Sequence, residues 1–329
     1  MEKERISVGM IYGGRGYERE VSILGYNNLV PHIDPQRYRI TPIHIEESGL
    51  WRSGDKEVIP APGGLYCPRE QEKIKLDCAI PLLHGDHGED GSVQGALECA
   101  SIPYVGCDVM ASAICRDKAI LKAVASDADI PTLPHVLLLR DEGVDYAIRA
   151  CEEMLRYPMF IKPTRLGSSI GAAAVSTRRE LVSQITIGFT LCARLMAEPC
   201  LTEKREVECA YYSGGGREII THPGEIRVSG TYGYEEKYRG GAEVVTRADI
   251  PEVTAELIRD YTRRLVRKCG IRDISRIDYL LRDGEIYLNE INTMPGMTAA
   301  SLYPAMLEGA GIPTGKMLSG LIDSAVARG

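Results

Sequence analysis

The sequence predicts an α/β protein, with a parallel-sheet domain first and α+β units behind it, and two observations carry that reading. In the first third of the chain, short apolar runs alternate with amphipathic stretches, the pattern of strands covered by helices. Beyond residue 107 consecutive strand-like runs have fewer helices between them, which is the mark of α+β units. At 329 residues the chain is long enough for two or three packed domains.

The elements follow in order. RISVGMIY (5–12) is an apolar run that ends at Gly13-Gly14, and an amphipathic stretch from about Glu18 to Val30 follows: strand, glycine turn, helix. RYRITPIHI (37–45) and DCAIPLLHG (77–85) read as further strands, and 91–100 as a short helix before IPYVG (102–106). The first domain therefore closes at 106. Residues 117–126 are helical, and Pro131 and Pro134 mark an extended connection. HVLLLR (135–140), PMFIKP (158–163) and GAAAVS (171–176) read as strands, with a helix near 145–156, so a second unit spans 107–197. The third, 198–329, holds strands near 205–212 and 218–228, a Gly- and Tyr-rich loop from 230 to 241, a helix over 251–269, a hairpin, and a final helix near 315–327.

Composition narrows the function. A net charge of −7 leaves no basic surface for nucleic acid. No apolar run approaches the roughly 20 residues that span a bilayer, and MEKERISVGMIYGG lacks the long apolar core of a signal peptide. Ten cysteines without a C-x-x-C pair argue against zinc or a redox dithiol, and reduced thiols in the cytoplasm are expected. With two Phe and one Trp, the cores must be filled by Leu, Ile, Val and Tyr.

Several motifs could carry chemistry. YGGRGYERE (12–20) has Arg19 where a dinucleotide fingerprint needs its third glycine, so a tight strand–helix turn is the plainer reading. GAGIPTGKM (309–317) is one residue short of a P-loop and carries Met317 in place of Ser or Thr. HGDHGEDG (84–91) lacks the His spacing of a helical metal site; a ligand loop at the carboxyl end of a strand and a plain surface loop both fit. In KPTRLGSSIG (162–171) the glycines expose backbone N–H groups to phosphate oxygens, the serines add donors, and Lys162 adds a point charge. Lys118 opens a helix, where an anion is also welcome.

SRIDYLLRDGEIYLNEINTMPGMTAASL (275–302) is more informative. Arg276, Asp278, Glu290 and Asn292 interrupt two otherwise apolar strands. A two-residue Asp283-Gly284 turn pairs Asp278 with Asn289 and sends Glu290 and Asn292 to the other face. A three-residue loop, Arg282 to Gly284, pairs Asp278 with Leu288 instead and puts all four polar residues on one face. Two carboxylates and an amide oxygen there form a hard-oxygen site for Mg²⁺. A surface cluster of ion pairs is the alternative, and the parity favours the metal.

Taken together, GG…EREVS (13–22), HGDHGEDGSVQG (84–95), RDK (116–118), KPTRLGSSIG (162–171), EEKY (235–238), SRIDY (275–279) and NEINTMPGMT (289–298) resemble, in order and over nearly the whole chain, the D-alanine–D-alanine ligases of the ATP-grasp superfamily and their vancomycin-resistance relatives. The resemblance implies an ATP-grasp fold and a cytoplasmic, homodimeric ligase that forms D-alanyl-D-alanine for peptidoglycan precursors. ATP and Mg²⁺ are the implied cofactors, with Mn²⁺ as the alternative ion; neither nucleic acid nor membrane is a partner. By resemblance Lys118, Lys162 and Lys237 meet ATP phosphates and Ser169 belongs to the loop that closes over them. Glu198 and Leu201 fall in the adenine hinge, and Glu206 matches the ribose acid. Asp278, Glu290 and Asn292 match the metal ligands. Glu18 matches the acid that receives the first ammonium, with Ser168 and Tyr238 positioning it; Arg276 and the N–H of Gly296 match the oxyanion donors. His84 falls near the first substrate and Ser301 and Leu302 in the second subsite.

Four positions depart from the family pattern. Gly16-Tyr17 replaces a usual Ser, the interval from Glu198 to Glu206 is one residue longer, and Pro199 removes a hinge donor. Ala300 stands where the family has His, which leaves a second substrate other than D-alanine, such as D-serine, open; Leu302 leans towards D-alanine and Tyr238 against D-lactate. A nucleotide-binding paralogue without ligase activity is a further alternative. Glycines 230, 233, 240 and 241 suggest that 232–245 is a lid.

Overall fold

The computed structural model describes residues 5–228 and 242–329. Strand β1 (Ile6–Gly13) leads through the predicted glycine turn into α1 (Arg19–Leu29) and returns as β2 (Tyr38–Ile45). Gly13 has φ +93°, and a Cβ there would lie 2.4 Å from the Ile45 carbonyl oxygen, so the turn excludes any larger residue. Next come β3 (Trp51–Ser53), β4 (Lys56–Glu57), β5 (Ile59–Ala61), β6 (Gly64–Cys67), β7 (Glu72–Lys75) and β8 (Cys78–Pro81). The first sheet has the order β4-β3-β2-β1-β8, with β1 parallel to both β2 and β8.

The predicted parallel sheet is thus present at its centre. Its β3–β4 edge is antiparallel, and β5, β6 and β7 form a separate antiparallel sheet. Strands of two to four residues are too short to show a period, which is why the sequence did not announce them. IPYVG (102–106) contributes a single parallel bridge, Tyr104 to Ala79.

The chain continues through α2 (Ser92–Cys99), α3 (Val109–Arg116) and α4 (Lys118–Asp127). Asp108 caps α3 by accepting from the Ala111 amide, and Asp117 caps α4 by accepting from Ala119 and Ile120. β9 (Val136–Leu139), α5 (Val144–Met154), β10 (Met159–Pro163), β11 (Ala173–Val175), α6 (Arg178–Leu191) and β12 (Arg194–Pro199) follow. They build an antiparallel sheet, β11-β10-β12-β9, packed against α5 and α6.

A third sheet, β16-β15-β13-β17-β18, is formed by β13 (Arg205–Gly214), β15 (Gly224–Val228), β16 (Ala242–Val245), β17 (Ile274–Arg282) and β18 (Glu285–Asn292), with β14 (Arg217–Ile220) on β13. Helices α7 (Glu252–Cys269), α8 (Leu302–Gly309) and α9 (Thr314–Val326) complete the described chain. Of the described helices, α3, α6 and α8 were not read from sequence.

Two cores position the site. In one, Val8 and Met10 of β1 pack with Tyr303, Met306 and Leu321 of α8 and α9, joining the first sheet to the last helices. In the other, α3, α4 and α7 cover β13, β17 and β18 through Leu121, Leu265, Ile277 and Tyr279. The amide of Leu288 donates to the Pro131 carbonyl at 2.9 Å, fixing the α4–β9 connection to the hairpin. No helix among the described residues is long and apolar enough to cross a membrane.

Candidate active site

The hairpin brings its four polar residues together, but not by the predicted device. Arg282 pairs with Glu285, so the turn is the two residues Asp283 and Gly284, both left-handed at φ 52° and 83°. The three-residue loop is therefore corrected. A β-bulge at Asn289 supplies the missing half-step: Tyr279 faces Leu288, and the next residue, Asp278, faces Glu290. Arg276 then lies opposite Asn292, and all four side chains share one face.

Their contacts form a tight network. Arg276 donates through Nε to Asp278 Oδ1 at 2.8 Å and through a terminal nitrogen to Asp278 Oδ2 at 2.7 Å, and its Nε lies 3.0 Å from Glu208 Oε2. Burial works against the charge of Arg276, yet Asp278 and Glu208 outweigh it and push the guanidinium pKa well above its ordinary value. Asn292 donates through Nδ2 to Asp278 Oδ2 at 3.1 Å, which keeps the oxygen half of its amide for another partner. Lys118 Nζ lies 3.2 Å from Glu290 Oε2 and donates to the Leu166 carbonyl at 3.0 Å.

These groups open onto one cleft. Lys118, Arg276, Glu290 and Asn292 line its hairpin side. Glu18, His84 and Ser168 line the cleft as well, together with Gly296, Ala300, Ser301 and Leu302. Ser168 Oγ donates to Glu18 Oε1 at 2.6 Å across 150 residues of sequence. Both Ser168 and Ser169 are left-handed, at φ 51° and 59°, which bends the KPTRLGSSIG loop over Glu18. His84 Nδ1 is 3.0 Å from the Met294 carbonyl, tying the 84–91 loop to the strand that leaves the hairpin. Ser301 Oγ accepts from the Thr298 amide at 3.0 Å, and a Cβ on Gly296 would come within 2.9 Å of it.

Other predicted residues lie outside this cleft. Glu198 is buried, its carboxylate taken by Lys122 at 2.5 Å and Lys162 at 2.7 Å. Burial alone would raise its pKa; Lys162 and Lys122 together bring it below the usual carboxylate value. Leu201 follows β12, and Glu206, on β13, pairs with Lys204 at 3.0 Å. Lys237, Tyr238 and most of the predicted lid lie outside the described residues, and 242–245 is β16.

Three residues at the site were not singled out from sequence. Arg116 lies 3.3 Å from both Glu89 and Asp86, and its buried Nε has no partner among the described residues. Burial raises the pKa of Glu89 and Arg116 only partly offsets it, while the Gly85 amide donates to that carboxylate at 3.0 Å. Glu208 is the third. A lone acid or arginine in a strand or helix end leaves no pattern to find.

Comparison with known proteins bears on this geometry. Residues 7–107 match the family described as D-ala D-ala ligase N-terminus, and residues 124–323 the one described as D-ala D-ala ligase C-terminus. The chain belongs to the D-Ala–D-Ala ligase family. A D-alanine–D-alanine ligase of Heliobacterium modesticaldum is 35% identical over 100% of this chain and 96% of its own. D-alanyl-alanine synthetase A from Vibrio cholerae superposes with a TM-score of 0.89 at 30% identity, over 98% of this chain and 99% of its own. The VanG D-Ala:D-Ser ligase from Enterococcus faecalis superposes at 0.88 and 31% identity, over 98% of this chain and 100% of that one. The ATP-grasp fold implied by the motifs is therefore the fold of the chain, and its family is one of ATP-dependent ligases.

Within this ligase-family chain, the hairpin face suits a divalent ion by its donor chemistry. Two carboxylates and an amide share it, and Arg276 and Lys118 hold the acids in place.

Proposed function

We propose that this member of the family joins two molecules of D-alanine into D-alanyl-D-alanine, using ATP. The observation that carries the reading is the single cleft in which the Glu18–Ser168 pair faces Arg276, Glu290 and Lys118. Glu18 receives the ammonium of the first amino acid, with Ser168 fixing the carboxylate's orientation. A carboxylate is a poor electrophile, so the first substrate is phosphorylated by ATP to an acyl phosphate, and the free amine of the second attacks it. Lys118 and Lys162 hold the phosphates, with Ser169 and, by resemblance, Lys237 closing on them. Asp278, Glu290 and Asn292 hold Mg²⁺, which when bound neutralises charge on the transferring phosphoryl group. Arg276 and the N–H of Gly296 steady the tetrahedral oxyanion. Tyr238 assists Ser168, His84 orients the first substrate, and Ser301 and Leu302 meet the second.

On this reading residues 1–106 are the first-substrate domain and 107–197 and 198–329 the two units that grip the nucleotide. Glu198, Leu201 and Glu206 border the adenosine. The enzyme acts as a cytoplasmic homodimer supplying peptidoglycan precursors. A second acceptor, such as D-serine, is favoured by one feature, the small Ala300 in the cleft wall.

The test is phosphate release from ATP with D-alanine alone and with D-alanine plus a panel of second amino acids. Release that requires D-alanine supports the ligase. Nucleotide binding with no D-alanine-dependent release counts against it.

A further inference from the structure

At the junction of α4, β10 and β12 lies an ion triad of Lys162, Glu198 and Lys122, and none of the roles above requires Lys122. Lys122 Nζ is 2.5 Å from Glu198 Oε1, and Lys162 Nζ is 2.7 Å from Glu198 Oε2, with the three side chains only 2%, 9% and 4% exposed for Lys122, Lys162 and Glu198. Each end of the triad is anchored. Lys122 donates to the Leu133 carbonyl at 3.1 Å, two residues beyond Pro131, whose own carbonyl accepts from Leu288 of the hairpin. Lys162 reaches Asn289 Oδ1 at 3.3 Å, and Asn289 is the bulged residue that turns Glu290 onto the polar face.

The charge count poses a problem that Lys122 solves. An acid beside Lys162 fixes its ammonium in one place, but a one-to-one buried pair is neutral and offers nothing to a phosphate. A second buried lysine on the other carboxylate oxygen returns a net positive charge to the group. His135 faces the same cluster; burial and Lys122 push its pKa down, so it adds no charge near neutral pH. Burial also lowers the pKa of Lys122 itself, and contact with Glu198 works against that loss.

We propose that Lys122 is a positioning residue for the nucleotide: by sharing Glu198 it leaves Lys162 both fixed and effectively cationic towards the phosphates. This deepens the ligase reading and rests on its assignment of Lys162 to ATP.

The test compares wild type, Lys122→Met, Lys122→Gln and Lys122→Arg by calorimetry with adenylyl imidodiphosphate and Mg²⁺, without D-alanine. Lys122→Met leaves a neutral Lys162–Glu198 pair, and nucleotide affinity is expected to fall at least about tenfold. Lys122→Arg keeps the wild-type net charge and is expected to bind within about fivefold of wild type. In turnover, Lys122→Met should raise the KM for ATP while the KM for D-alanine stays within about twofold, a split that a merely structural lysine would not produce. A folded Lys122→Met with wild-type nucleotide affinity, or a Lys122→Arg no better than Lys122→Met, overturns the proposal. Should Lys122→Met fail to fold, Lys122→Gln takes its place: an affinity at least about tenfold below wild type supports the charge argument and a smaller loss overturns it. Because binding is read without D-alanine, a chain that behaves as expected here yet joins no amino acids sinks only the ligase reading.

Discussion

Asp278 grips Arg276 with both carboxylate oxygens, at 2.8 and 2.7 Å, and Glu208 Oε2 lies 3.0 Å from the same guanidinium Nε. The residue assigned to steady the oxyanion is therefore also the counter-ion that lets two largely buried acids sit together. Arg276→Ala is expected to lower kcat by about 100- to 1000-fold, the loss typical of an oxyanion donor. It is also expected to cost about 3 kcal/mol of stability, because it leaves Asp278 and Glu208 facing each other. Urea unfolding alongside turnover of the folded fraction separates the two. Arg276→Lys keeps the charge but not the fork, and should recover stability more fully than activity.

Arg116 lines the cleft beside Glu18, the acid proposed to receive the first ammonium. A Cβ on Gly167 would lie 3.4 Å from an Arg116 terminal nitrogen and 3.3 Å from Glu18 Oε2, so Arg116 and Glu18 flank the same narrow space. With Glu89 and Asp86 both 3.3 Å away, Arg116 also ties down the 84–91 loop. Arg116→Met is expected to raise the KM for the first amino acid about tenfold, with the ATP KM little changed. An equal rise in both would mean that the arginine merely supports the fold.

Glu198 gives a pH signature. Its folded pKa lies below the ordinary 4.5, so its two ion pairs contribute stability above that value. The contribution is lost as pH falls through the lowered folded value. Urea midpoints of wild type should drop as pH is taken below about 4.5. Glu198→Gln should be less stable at neutral pH and show a flatter dependence in that acid window. Parallel curves for the two proteins would remove Glu198 from the account.

The hairpin marks how far sequence reasoning reached. Four polar residues in two apolar strands signalled one shared face, and alternation supplied the test. The means were not legible, because a bulge adds one ordinary residue, here Asn289, and leaves no compositional trace, whereas a glycine in a turn does. The long apolar strands of the first sheet, Ile6–Gly13 and Tyr38–Ile45, were readable for the same reason that β4, with two residues, was not. Lys122 and Arg116 were passed over because their roles come from partners 76 residues away in one case and at a loop in the other. Burial of a charge becomes meaningful only when its counter-ion is in view.

Gly296, whose N–H is proposed to steady the oxyanion, leaves no room for a side chain beside Ser301. Ser301 Oγ accepts from the Thr298 amide at 3.0 Å and sits 2.9 Å from Thr298 Oγ1, so the hydroxyl is held in place by the loop it closes. A methyl on Gly296 would approach that fixed oxygen to 2.9 Å, and the loop must shift to admit it. Since a displacement of about 1 Å can cost about 100-fold in rate, Gly296→Ala is expected to lose about that much in kcat. Ser301→Ala removes the obstructing oxygen along with its two loop contacts, and should cost less than about tenfold by itself. The double variant should then be no worse than Gly296→Ala, because the clash that drives the loss is gone. Losses that simply multiply would show that the two residues act separately and that the close approach does not set the position of the Gly296 N–H.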